Sequence, residues 1–445
     1  MARVEYHRKA LSVDPLKTSP ALGGALAFLG LDRCIPLLHG SVGCANFAKV
    51  LLTRHFREPI PLASTALTDL GACMGGGETA LEALRRVAAK GPAVIGLLST
   101  ALTETKGDDL AATVREFRAA FPEQAALPVI AAATPDFAGS LQEGYAAAVE
   151  AILREAARPG ERKSALVNVL AGPAFTPADV DEVRAMVEAF GLTPLVVPDL
   201  SRSLDGHLDC EPAPWSTGGT PWEDLADAGR AGATLVLGPS LETAAAHLSA
   251  ACGVPYQVFP RLSGLGAVDE FLGHLAALSG RRVPDGLRRE RRRLLDGMLD
   301  AHFFLGGRRA AVALEADQLV GVASLLTELG MRVAGVAATA GPGLDQVSVD
   351  RIRVGDLADL EELAAEADVL IAGSQAADLA ERLGKPLLRW GFPVLDRLGA
   401  ARRLNVGYAG TLDLLFEAAN ALAQRPVEPA AYRSPLRPQP EEVTA

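Results

Sequence analysis

LHGSVGCANFAKVLLTRHFREPIP, residues 38–61, passes from a glycine-rich turn into a helical pattern and stops at prolines. Gly40, Ser41 and Gly43 form the turn and present one thiol, Cys44. Phe47, Val50, Leu51 and Leu52 then recur with helical spacing, and Arg54, His55, Arg57 and Glu58 bring charge back. Pro59 and Pro61 end the segment, because proline has no backbone donor to continue a helix. A thiol at the start of a helix faces unpaired backbone N–H groups and the positive end of the dipole, which favour the thiolate. Thiolate is the form that binds iron or zinc. From these residues alone, the competing reading is a small buried hydrophobe, the usual fate of a free cysteine.

Working outward, short apolar runs alternate with amphipathic helical patterns. Residues 94–99 (VIGLLS), 128–133, 165–172, 193–197, 233–238, 308–314 and 367–373 read as strands buried on both faces, the pattern of parallel sheets. Helical patterns over 78–89, 108–121, 141–156, 177–190, 241–252, 267–278, 288–304 and 411–423 separate them. The expected fold is α/β, three successive doubly wound parallel-sheet, Rossmann-like domains. The expected boundaries are 1–162, holding the Cys44 loop, then 163–304, then 305–445 with a loose proline-rich C-terminal tail.

At 445 residues one core is too small an organisation, and two or three domains are expected. A net charge of -11, with no basic cluster among aromatics, argues against a nucleic-acid partner. No apolar run reaches the ~20 residues that span a bilayer. The first ten residues lack the apolar core of a signal peptide, so a cytoplasmic protein without a membrane partner is expected. Cys34, Cys44, Cys73, Cys210 and Cys252 are odd in number and scattered, unlike a disulfide framework. No Walker A sequence is present, and GPGLDQ (341–346) and GLGAVD (264–269) lack the third glycine of a dinucleotide fingerprint. Asp205, His207 and Asp209 would share a strand face and suit a metal, although a solvated loop is the plainer reading.

HGSVGCANFAK (39–49) followed by RHFREPIPL (54–62) resembles the P-cluster loop of nitrogenase β-type subunits, and within that superfamily it is most similar to the NifN family. DPLKTSPALGG (14–24), LLSTALTETKGDDL (97–110), TPDFAGS (134–140), PDLSRSLDGHLD (198–209), GKPLLRWGFPVLDRLG (384–399) and GYAGTLDLLFEAAN (407–420) extend the resemblance over nearly the whole chain. It implies a scaffold subunit for assembly and maturation of the nitrogenase iron–molybdenum cofactor, non-catalytic in its own right. It also implies a partner, NifE, in an α2β2 heterotetramer, docking of the Fe protein NifH, and delivery of the cofactor precursor from NifB.

Catalytic β-subunits of the superfamily bring three cysteines to their cluster. Here the middle one matches Cys44, while Ser19 and Ala101 stand where the other two would fall. The resemblance therefore implies a [4Fe–4S] cluster shared across the subunit interface, with Cys44 its one ligand from this chain and three thiolates from NifE. A transient precursor of the iron–molybdenum cofactor would be held by the complex. Cys34 and Cys73 match no ligand position. His39, Arg54, His55 and Arg57 are candidates for tuning the cluster or meeting the partner. The alternative is a catalytic subunit of a nitrogenase-like reductase, either a nitrogenase β-subunit or that of dark-operative protochlorophyllide reductase.

Overall fold

The computed structural model describes residues 3–6, 12, 14–207, 211 and 213–423. The strands in chain order are β1 (Val4–Tyr6), β2 (Cys34–Leu38), β3 (Ala63–Ser64), β4 (Val94–Leu98), β5 (Val129–Ala132), β6 (Lys163–Ala171) and β7 (Thr193–Val196). Then come β8 (Ala231–Leu237), β9 (Tyr256–Phe259), β10 (Arg309–Leu314), β11 (Arg332–Ala337), β12 (Arg351–Val354), β13 (Val369–Ala372) and β14 (Leu387–Arg389). They form three sheets, ordered β3-β2-β4-β5, β7-β6-β8-β9 and β1-β12-β11-β10-β13-β14. Every pairing among them is parallel. Helices cover the faces, as parallel sheets require when both sides carry Val, Leu and Ile.

Strand order reverses between β2 and β4, between β6 and β8, and between β10 and β13. These are the switch points at which open α/β sheets splay the loops that follow their strands. The Cys44 loop follows β2 and the Ala101 segment follows β4, so the two flank the first of these points.

The first sheet is braced by the helix Pro20–Leu29, whose ten residues are all buried. A proline at its first position fits there, since that N–H has no partner within a helix. It packs on the helix Leu141–Ala156 at very short range. A Cβ on Gly23 would lie 1.9 Å from the Leu141 carbonyl oxygen, and one on Gly144 would lie 1.9 Å from that of Pro20. On the other side Gly96 of β4 leaves room for the Phe28 ring, 2.3 Å from where its Cβ would be.

The structure differs from the sequence reading at the amino terminus. Residues 4–6, expected in the first domain, pair with β12 at the edge of the third sheet. Leu16 is buried in the core of that same unit, and Asp14 accepts a 2.9 Å hydrogen bond from the Leu357 N–H. Three residues carry no helical or alternating pattern, so only the tertiary pairing reveals this strand. The proline-rich tail lies outside the described residues. Among the described residues no helix is long and apolar enough to cross a membrane.

Candidate metal centre

Cys44 is exposed and occupies the third position of the helix Val42–Phe56, inside its first turn rather than on the turn before it. Ser41 is the N-cap residue, but its hydroxyl donates to Cys44 Sγ at 3.4 Å instead of capping the backbone. The segment that carries them is bolted to the one after β4. Thr100 and Thr103 hydroxyls both donate to the His39 carbonyl oxygen, at 3.0 and 3.3 Å. A Cβ on Gly40 would sit 2.7 Å from Thr100 Cγ2, so only glycine lets these two segments touch.

His39 is wholly buried beneath this edge. Its Nδ1 meets Thr65 Oγ1 at 3.1 Å and its Nε2 meets Asp108 Oδ2 at 3.2 Å. Burial pushes the ring's pKa down, and the Asp108 carboxylate opposes that shift only in part. Three consecutive glycines, Gly75, Gly76 and Gly77, pass against the pair, with Gly76 placed so that a Cβ would fall 2.5 Å from Asp108 Oδ2. His39 therefore holds the loop from below.

Ser19 and Ala101, which the resemblance sets against the other two cysteines, lie at the same carboxyl edge. Ala101 opens the helix Ala101–Lys106 directly after β4. Ser19 caps the helix Pro20–Leu29, and its hydroxyl donates to Asp136 in the segment after β5. Neither offers a thiolate. Cys34 stands at the opposite end of β2, about 13 Å from the edge at ~3.3 Å per residue. It is fully buried, and burial pushes its thiol pKa upward. Cys73 is exposed on the helix Asp69–Met74, and Cys252 is half-buried in the second unit. Cys210 lies outside the described residues.

Among the described residues no group of three or more His, Cys, Asp or Glu side chains could hold a metal ion. An iron–sulfur cluster at Cys44 would need further ligands from outside this chain. Val42, Phe47 and Val50 are exposed on the same helix as the thiol, Phe47 at 68%, and Leu70, at 74%, and Leu102 are exposed on the helices Asp69–Met74 and Ala101–Lys106. Exposed apolar side chains grouped in this way mark contact surfaces.

The remaining candidates do not join Cys44. His55 lies eleven residues along the helix, about 16 Å away at 1.5 Å per residue. It is buried, its Nδ1 accepts a 3.0 Å hydrogen bond from the Val394 N–H, and its ring meets Phe392 edge-on at 4.8 Å. Burial pushes its pKa to about 4. Arg54 and Arg57 are exposed at that same far end, where Arg57 takes a left-handed conformation as C-cap. Asp205 pairs with Arg402 at 2.8 Å, His207 lies 3.7 Å from Glu58, and Asp209 is outside the described residues. Sequence reasoning missed one further cluster, the carboxyls of Glu143, Glu315 and Asp317. Its single local sign is the S-x-x-E capping box at Ser140–Glu143.

The family described as nitrogenase component 1 type oxidoreductase matches residues 19–423. The nitrogenase iron-molybdenum cofactor biosynthesis protein NifN of Nostoc sp. is 46% identical, over 94% of this chain and 95% of its own. Its counterpart from Klebsiella pneumoniae is 40% identical, over 99% and 97%. A chain of nitrogenase Cp1 solved at pH 6.5 superposes with a TM-score of 0.89 at 30% identity, covering 94% of each chain. A chain of nitrogenase Cp1 at pH 5, 15% identical, shares the fold with a TM-score of 0.72, over 96% of this chain and 91% of that one. With two matched motifs at one sheet edge, three parallel sheets and kinship along almost its full length, the chain belongs to the nitrogenase component 1 type family and, within it, to the NifN proteins.

Proposed function

We propose that this protein is the β-like half of the scaffold on which the nitrogenase iron–molybdenum cofactor is assembled, with Cys44 as its one ligand to a [4Fe–4S] cluster shared with NifE. The scaffold role rests on the kinship with NifN proteins. The shared cluster rests on one observation: a lone exposed thiol in a helix's first turn, on a loop held rigid from below and bordered by exposed apolar side chains.

When bound, such a cluster supplies one-electron transfer. The chain's own residues do the rest. Cys44 offers the anion, and the free N–H groups of the first turn favour negative charge beside it. The Ser41 hydroxyl orients Sγ and draws electron density from it, the kind of outer contact that sets a cluster's potential. His39, Thr100 and Thr103 fix the loop so that the thiol keeps its position before the partner arrives. Phe47, Val50, Leu70 and Leu102 would be covered by NifE and would keep water from the shared site. The proposed quaternary state is an α2β2 heterotetramer, served by NifH and receiving precursor from NifB. The proposed units are 1–162, 163–304 and 305–445, with residues 4–6 lent to the third.

Likeness to nitrogenase Cp1 favours a catalytic subunit as the second reading. Ser19 and Ala101 oppose it, because neither replaces the thiolate that a larger cluster requires. Anaerobic purification of the chain with and without NifE separates these readings. The lone chain is expected to carry almost no iron, since one thiolate leaves the other iron atoms open to water. A four-iron cluster in full stoichiometry on the lone chain would overturn the shared site.

A further inference from the structure

Three carboxyl groups lie together where the carboxyl edges of all three sheets converge. Glu143 stands in the first turn of the helix Leu141–Ala156, after β5. Glu315 caps the helix Ala316–Glu328, after β10, and Asp317 lies in its first turn. Ser240, after β8, completes the junction from the second unit.

The bonds run between units. Ser140 donates through its hydroxyl to Glu315 Oε1 at 2.6 Å and through its N–H to Glu143 Oε2 at 2.7 Å. The Gln142 amide donates to Glu143 Oε1 at 2.8 Å, and its own oxygen accepts from the Asp317 N–H at 3.0 Å. Thr339 donates to Glu143 Oε1 at 2.9 Å. Ser240 donates to Asp317 Oδ2 from both its N–H, at 3.0 Å, and its hydroxyl, at 2.5 Å.

Among the described residues no Lys, Arg or His side chain bonds to any of the three carboxyls, which face only one another and neutral donors. Like charges placed close together without a cation raise the cost of ionising one another. Burial, reinforced by the charges of Glu143 and Asp317, pushes Glu315 up to about 8, against the hydrogen bond from Ser140. Asp317 rises to about 6 from burial, against the bonds from Ser240.

We infer that this junction is a proton-held latch between the third unit and the first two: with a proton on Glu315 the three edges stay closed, and its loss places a further buried negative charge between them and favours separation. Gln318, next to Asp317, lines a cleft of about 790 Å³ between the second and third units, together with Phe175, Trp390 and Arg403. Release at the latch would change the width of that cleft.

The sign of the pH effect follows from the raised pKa. Opening exposes Glu315, returns it to the ordinary carboxyl range and releases its proton. Closure is therefore most favoured at the acid end and weakens as pH rises toward about 8, then levels off. Hydrogen exchange on the purified complex, corrected for intrinsic chemical rates, reads this at amides 140–143, 240 and 315–317 between pH 6 and 9. In the wild type the opening equilibrium should rise by up to ~tenfold per pH unit, the limit for release of one proton, and then flatten. Glu315→Gln, a neutral mimic of the protonated acid, should be flat above about pH 7, where Asp317 is already ionised in the closed state. Equal pH dependence in both proteins would overturn the latch. Should Glu315→Gln fail to fold, the wild-type profile decides. A rise ending near pH 8, with a protonated-carboxyl infrared band at pH 7 that is lost at pH 9, supports the latch; a flat profile refutes it.

Discussion

At the scale of single residues, the two histidines of the opening stretch act on the fold. His39 braces the loop and His55 ties the end of the same helix to the third unit. Because burial holds His55 near pKa 4, the folded protein keeps it neutral while the unfolded chain takes a proton below about 6.5. Stability contributed by the neutral ring is complete above the unfolded pKa and is lost as pH falls from about 6.5 to about 4. His55→Ala strands the Val394 N–H and opens a cavity, so it should destabilise by about 3 kcal/mol. It should also remove this part of the acid sensitivity. Iron content of the folded complex should not change, because the ring lies some 16 Å along the helix from Cys44. Denaturant unfolding at pH 7 and pH 5 checks the first two points, and iron analysis checks the third.

At the scale of elements, the crossing of the helices Pro20–Leu29 and Leu141–Ala156 positions the Ser19 and Ser140 segments together. Thr18 N–H donates to Ser140 Oγ at 3.1 Å, so the first unit's edge and the three-carboxyl junction share this contact. Gly144→Ala would drive a methyl against the Pro20 backbone. Backbone cannot give way as a flexible side chain does, and the expected cost is about 3 kcal/mol, read as a lower unfolding midpoint in urea. A comparable change at Gly266, where a Cβ meets nothing within 4 Å, should be close to neutral and serves as the control.

Much of this level is legible in the sequence, because buried parallel strands announce themselves as continuous apolar runs. Residues 94–99 and 367–373 proved to contain β4 and β13. β2 was hidden by Cys34 and Pro36 and by its closeness to the turn. The helix Ala101–Lys106 was hidden inside a segment recognisable only by kinship. Cys44 stood out because a glycine turn and a helix frame it. The Glu143, Glu315 and Asp317 cluster left no trace beyond the capping box at Ser140–Glu143, since Glu143 lies more than 170 residues from the other two and meets them only through the packing of the sheets.

At the scale of the whole molecule, three sheets direct their carboxyl edges toward shared surfaces, and the first edge carries the exposed thiol of Cys44. The proposed shared cluster depends on Cys44. The direct test is iron per complex and low-temperature EPR after anaerobic copurification with NifE, for the wild type, Cys44→Ala, Cys73→Ala and Cys34→Ala. With Cys44 as the proposed ligand, its removal would leave one iron atom without its thiolate and delete a compensating negative charge, while the glycine-framed loop keeps its shape. Cys44→Ala should therefore lose iron or show an altered spectrum, and the other two variants should match the wild type. A Cys44→Ala complex with the full iron content and an unchanged spectrum, beside a Cys73→Ala or Cys34→Ala complex that loses both, would contradict the account.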